Sequence, residues 1–119
     1  MKKVLKSFGY AFKGFGYAFN TQLNFRIHLV ITVMATLLAW YLHVSVTEWI
    51  WIALCVALVL SAELLNTAIE ALTDLVSPEF NPKAGYVKDV SAAAVTITAI
   101  FAVIVGCVIL LPKLINLFN

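Results

Sequence analysis

Acids and an amide stand in this chain where an apolar helix should have neither. In the stretch Ser61-Ala-Glu-Leu-Leu-Asn-Thr-Ala-Ile-Glu-Ala-Leu-Thr-Asp74, the residues Glu63, Asn66, Glu70 and Asp74 follow one another at spacings of three, four and four. At about 100° per residue they share one narrow face of a helix, with Leu65, Ile69 and Leu72 opposite. A carboxylate near the middle of a membrane helix costs on the order of 3 kcal/mol, so it faces protein or a wet cavity. Three acids on one stripe point to a site that handles cations or phosphates. The plainer alternative is a polar seam gluing helices together, as Asn and Glu can do in bilayers. Lys88 and Asp89 follow at the end of the next polar link, beside the start of the third span. Carboxylates bind Mg²⁺ and lysine neutralises phosphate oxygens, and phosphoryl transfer relies mainly on such positioning and charge stabilisation. Glu63, the deepest acid, is the candidate base, because its depth matches that of a lipid hydroxyl near the membrane surface.

The elements that must hold these groups are set by composition. The 119 residues are 63% hydrophobic and 12% charged, with a mean hydropathy of +1.00, which predicts one all-α domain (1–119) that crosses a membrane several times. Near the N-terminus, Val4, Leu5, Phe8, Phe12, Phe15 and Phe19 fall on one helical face and Lys2, Lys3, Lys6 and Lys13 on the other. This pattern predicts an amphipathic surface helix over about 2–20. Gly9, Gly14 and Gly16 match no phosphate-binding loop and are expected to let helices approach closely. Spans are expected at about 25–42, 49–75 and 90–111, the second carrying Glu63 inside and Asp74 near water. Pro78 and Pro82 are expected to break the chain into a polar link from Ser77 to Asp89.

Charge orients these elements. Seven of the eight basic residues lie on the side of the N-terminus and the Ser77–Asp89 link, which places that side in the cytoplasm. The small net charge of +2, gathered at the membrane ends, suits anionic lipid or phosphate partners and not nucleic acid. Cys55 and Cys107 read as small buried hydrophobes, and His28 and His43 have no ligand-spaced neighbours.

The motif Glu63-Leu-Leu-Asn66-Thr-Ala-Ile-Glu70-Ala-Leu-Thr-Asp74, followed by Gly85-Tyr-Val-Lys88-Asp89-Val-Ser-Ala-Ala, closely resembles the small prokaryotic diacylglycerol kinase and undecaprenol kinase family. The likeness covers nearly the whole chain, including Tyr10-Ala-Phe-Lys-Gly14 and Asn24-Phe-Arg-Ile-His28. It implies a homotrimer of three-span subunits in the bacterial inner membrane. It also implies transfer of the γ-phosphate of MgATP to a membrane lipid alcohol at the cytoplasmic side. Carried over by position, Glu63 looks like the catalytic base with Asn66 beside it, and Glu70 like a ligand of the nucleotide-bound Mg²⁺. Lys88 and Asp89 resemble nucleotide contacts, as do Lys3, Tyr10, Glu79, Phe80 and Asn81. Gln22 stands where the family usually has a glutamate as second metal ligand; an amide oxygen can bind Mg²⁺ but contributes no charge.

Three function classes follow. The lipid kinase is preferred. An ion-conducting or transporter subunit, with the Glu63 stripe lining a cation path, leaves Lys88 and Asp89 without a task. A catalytically silent homologue has the Gln22 departure as its sole support. Ile27-His28 resembles the undecaprenol-directed members slightly more than the diacylglycerol-directed ones, but lipid pockets discriminate weakly by a few apolar groups.

Overall fold

The computed structural model describes residues 1–119, folded as four consecutive helices: α1 (Lys2–Thr21), α2 (Leu23–Tyr41), α3 (Val46–Val76) and α4 (Pro82–Leu117). The last three are long and apolar enough to cross a membrane. Their 19, 31 and 36 residues correspond to roughly 28, 46 and 54 Å at 1.5 Å per residue, against a hydrocarbon core of roughly 30 Å. α3 and α4 therefore extend well past the hydrocarbon, with room for polar groups at their ends. Only 13 of 119 residues are buried, while Val30, Ile31, Leu58, Ile97, Ile100 and Val108 point outward. An apolar exterior of that extent is stable in lipid and not in water, so this is an integral membrane protein with three spanning helices.

Each turn between helices has a local cause. Gln22 breaks α1 from α2 by taking an extended conformation, φ −120° and ψ 109°. Arg26, one turn into α2, reaches back: its Nη1 donates to the Phe19 carbonyl at 2.8 Å, satisfying one of the carbonyls that the end of α1 leaves unpaired. Phe15 and Phe25 close the same corner with ring centroids 6.3 Å apart, over the fully buried Ala18. At the other end of α2, His43 takes the left-handed conformation, φ 55°. Its N–H bonds to the Trp40 carbonyl and that of Val44 to the Ala39 carbonyl, both at 3.3 Å. This pair of bonds is the Schellman arrangement, with the buried Val44 and Ala39 supplying its usual apolar contact. Ser45 and Glu48 then open α3 as a reciprocal capping box.

The core lies at this end, remote from Glu63 along α3: Ala39, Val44, Ile52 and Ile109, with Trp49, Val56, Val105 and Leu110 packed against them. Lys113 and Glu48, 3.3 Å apart, tie α4 to the start of α3 beside it. From there α3 and α4 run together as the main interface of the molecule.

Two expectations are corrected. The polar link ends at Asn81, not Asp89, because Pro82 starts α4 instead of interrupting it. Proline lacks the N–H that a first helical turn cannot pair anyway, and the Asn81 side chain caps the turn by accepting from the Lys83 N–H at 2.9 Å. Lys88 and Asp89 thus stand on a helix. The glycines of α1 mediate no close helix approach within the chain, since a Cβ at Gly9, Gly14 or Gly16 would meet nothing within 4 Å.

Candidate functional site

The stripe on α3 passes from interior to water along its length. Glu63, Asn66 and Thr67 are buried, Glu70 is half-buried and Asp74 exposed, whereas Leu65 and Leu72 face outward. Helical periodicity sets this, and the small residues of α4 permit it. Ser91 and Val95, one turn apart, are buried, so α4 lies close enough to cover the stripe without filling the space beside it.

What remains is a cleft of about 480 Å³, lined by Asn24 and His28 of α2, Glu63 and Asn66 of α3, and the Ala92–Ile104 face of α4. Its polar groups come from α2 and α3, apart from Thr96 on the otherwise apolar wall of α4. Glu63 is 3% exposed at its side chain, and its Oε1 lies 3.1 Å from Nε2 of His28. The Asn66 Oδ1 is buried with no hydrogen-bond partner. A buried amide oxygen left unpaired costs roughly 1–3 kcal/mol, and such groups cluster where a ligand supplies the missing donor. The Thr67 hydroxyl is occupied, donating to the Glu63 carbonyl at 2.8 Å.

Beyond the cleft, Lys88 of α4 donates a hydrogen bond to Asp74 of α3, so an ion pair stands at the polar end of the interface. Glu70 lies within electrostatic reach of both Glu63 and Lys88. The order along α3 is therefore buried base candidate, intermediate acid, paired lysine. A second, apolar groove of about 400 Å³ runs along α2, α3 and α4 toward Leu114; it shares His28, Ala99 and Val103 with the cleft. Cys55, buried, and Cys107, exposed and so unlike the sequence expectation, both line it as free thiols.

These residues and this architecture match a known family. A family model described as prokaryotic diacylglycerol kinase matches residues 9–110. The chain belongs to the prokaryotic diacylglycerol kinase family. It is 45% identical to the diacylglycerol kinase of Synechocystis sp. over 96% of its own length and 66% of that relative's, so it spans just under two thirds of that protein. It is 35% identical to the undecaprenol kinase of Bacillus subtilis, over 96% of this chain and 93% of the relative. It is also 35% identical to the diacylglycerol kinase of Escherichia coli strain K12, over 91% and 88%.

Within this diacylglycerol kinase family member, the structure gathers some of the sequence candidates and leaves others apart. Glu63 and Asn66 share the cleft. Glu70 and Lys88 stand next along the same interface. Gln22 is half-buried at the α1–α2 break, where it heads α2 without a side-chain capping bond. Lys3 and Tyr10 are exposed on α1, Glu79, Phe80 and Asn81 on the link, and Asp89 on α4; none of these six lines the cleft. Sequence reasoning missed His28 as a site residue. The available signal was a titratable side chain a few residues into an apolar span, which is itself expensive and therefore informative.

Proposed function

We propose that this protein is an ATP-dependent lipid kinase that transfers the γ-phosphate of MgATP to the hydroxyl of a membrane lipid alcohol. The observation that carries the reading is the buried Glu63 beside an unpartnered Asn66 oxygen, in a cleft that opens into an apolar groove. A lipid alcohol needs that combination: a dry channel for its chain and a base with a polar partner for its head. Membership of a kinase family decides against the ion path that the acid stripe alone left open. Relatives named for diacylglycerol, at 45% and 35% identity, and for undecaprenol, at 35%, both match the chain, so the alcohol is defined here by class.

The chemistry follows from the order of groups. Glu63 accepts the hydroxyl proton as the oxygen attacks phosphorus, and Asn66, beside it in the cleft, orients that oxygen by donating an amide N–H to it. Lys88, presented by Asp74 at the polar end, neutralises phosphate oxygens, with Asp89, Lys3, Tyr10, Glu79, Phe80 and Asn81 as further nucleotide contacts. Mg²⁺ suits the donors available. No three His, Cys, Asp or Glu side chains converge in the chain, and Mg²⁺ is typically held by one or two carboxylates plus substrate phosphates. Glu70 and Gln22 would hold it, and it would offset charge developing on the phosphoryl oxygens.

The same proposal covers setting and assembly. α1 lies along the cytoplasmic surface of a bacterial inner membrane, its lysines toward water, and subunits associate as homotrimers through their exposed apolar faces. The test is incubation of purified protein with γ-labelled ATP, Mg²⁺ and either diacylglycerol or undecaprenol, singly and in competition. Label entering a lipid phosphate ester supports the reading. Protein that binds both substrates yet transfers no label to either is a silent homologue.

A further inference from the structure

His28 is the one polar group in the cleft that stands against the Glu63 carboxylate, at ion-pair distance, and has no task in the reaction as described. It comes from a different helix, and its Nε2 stands 3.1 Å from Glu63 Oε1. Asn24 and Asn66 line the cleft too, and of its side chains His28 is the one in ion-pair range of that oxygen. The Thr96 hydroxyl donates to the Ala92 carbonyl, the Thr67 hydroxyl to the Glu63 carbonyl, and the rest of the α4 wall is Ala, Val and Ile. His28 also lines both cavities, so it marks the point where the apolar groove meets the polar cleft.

A glutamate side chain turns about three bonds, and a base works only when one carboxylate oxygen faces the proton it takes. We propose that His28 is a positioning residue: its Nε2–H holds Glu63 Oε1, so that Oε2 faces the lipid hydroxyl at the mouth of the groove. The inference rests on Glu63 being the base. The hydroxyl proton passes to Oε2 while the lipid oxygen bonds to the γ-phosphorus. The bond from that phosphorus to the bridging oxygen breaks, and ADP leaves. His28 contributes a hydrogen bond throughout and gains or loses no proton.

Side-chain reach separates this role from a merely structural one. The amide nitrogen of a glutamine reaches about as far as Nε2, whereas that of asparagine stops short near Nδ1, and both amides are polar and similar in size to imidazole. The experiment measures kcat and KM for ATP and for lipid in wild type, His28→Gln, His28→Asn, His28→Leu and Glu63→Gln. Helicity and elution volume are recorded for each. The expected result is a His28→Gln kcat within about threefold of wild type. His28→Asn and His28→Leu fall by about tenfold or more, with KM for ATP unchanged. If Glu63→Gln is inactive but all three His28 variants keep the wild-type kcat, or if Gln is as slow as Leu, the positioning role is wrong. If Glu63→Gln itself turns over normally, the reading beneath it fails instead.

Discussion

Glu63 and Gln22 mark two ends of the chemistry, and they differ in how much of their role lies in their own helix. The depth and facing of Glu63 are set by α3: periodicity puts it on the covered face, and the apolar run before it puts it deep. Gln22 sits at a break between helices, and any part it plays in holding Mg²⁺ depends on how α1 lies against α3. In the proposed site Gln22 is an amide and Glu70 would be the only charged ligand of that pair, so the nucleotide phosphates would supply most of the coordination. Gln22→Glu adds one charge beside the ion, worth up to about 4 kcal/mol at an effective dielectric near 20 before desolvation is subtracted. We expect a net gain near 1 kcal/mol, seen as a five- to tenfold lower Mg²⁺ requirement when rate is titrated at saturating ATP. Superimposable curves would show that Gln22 does not approach the ion. The acid stripe was legible in the sequence because it needs only the helical repeat. The His28–Glu63 contact was not, since its partners are 35 positions apart and meet only once α2 and α3 are packed.

At the level of elements, the turn between α2 and α3 sets where Glu63 lies in the membrane, because α3 is measured from its cap. Two features there act in opposite directions. His43 sits at positive φ, which histidine tolerates at a cost that glycine does not incur. Ser45 and Glu48 pair four groups in the capping box. His43→Gly should therefore stabilise by about 0.5–1 kcal/mol, and Ser45→Ala should destabilise by about 1 kcal/mol. Thermal melting in detergent checks both, and a destabilised His43→Gly variant would mean that the imidazole makes a contact outweighing the strain. This turn also shows where sequence reading stops. The aromatic anchors and the short link were visible, but a Schellman end built on histidine carries no glycine signal. In the same way Pro82 read as a breaker, although its position at the first turn of α4 makes it a starter.

At the level of the whole molecule, seven basic residues on one side of the three spans carry the proposal that the polar end of the cleft faces the cytoplasm. Cysteines introduced at Ser45 and Ser77 in intact cells should react with an impermeant reagent at 45 and not at 77; the reverse pattern would invert the topology. An inverted molecule would present Lys88, Asp74 and Glu70 to a compartment without ATP. The spans were legible because a bilayer imposes length and composition on any helix that crosses it. How the helices enclose a cleft was not, because the small residues of α4 that leave the space open look, in sequence, like residues that close it. The account stands on Glu63 as the base for a lipid hydroxyl, and the most direct test is the rate of label transfer from ATP to lipid by Glu63→Gln against wild type. Nucleotide affinity and elution volume are measured on the same samples. The swap is nearly isosteric, so the predicted result is a rate loss of about 10²- to 10⁴-fold with nucleotide binding and assembly unchanged. Transfer at the wild-type rate would contradict the account.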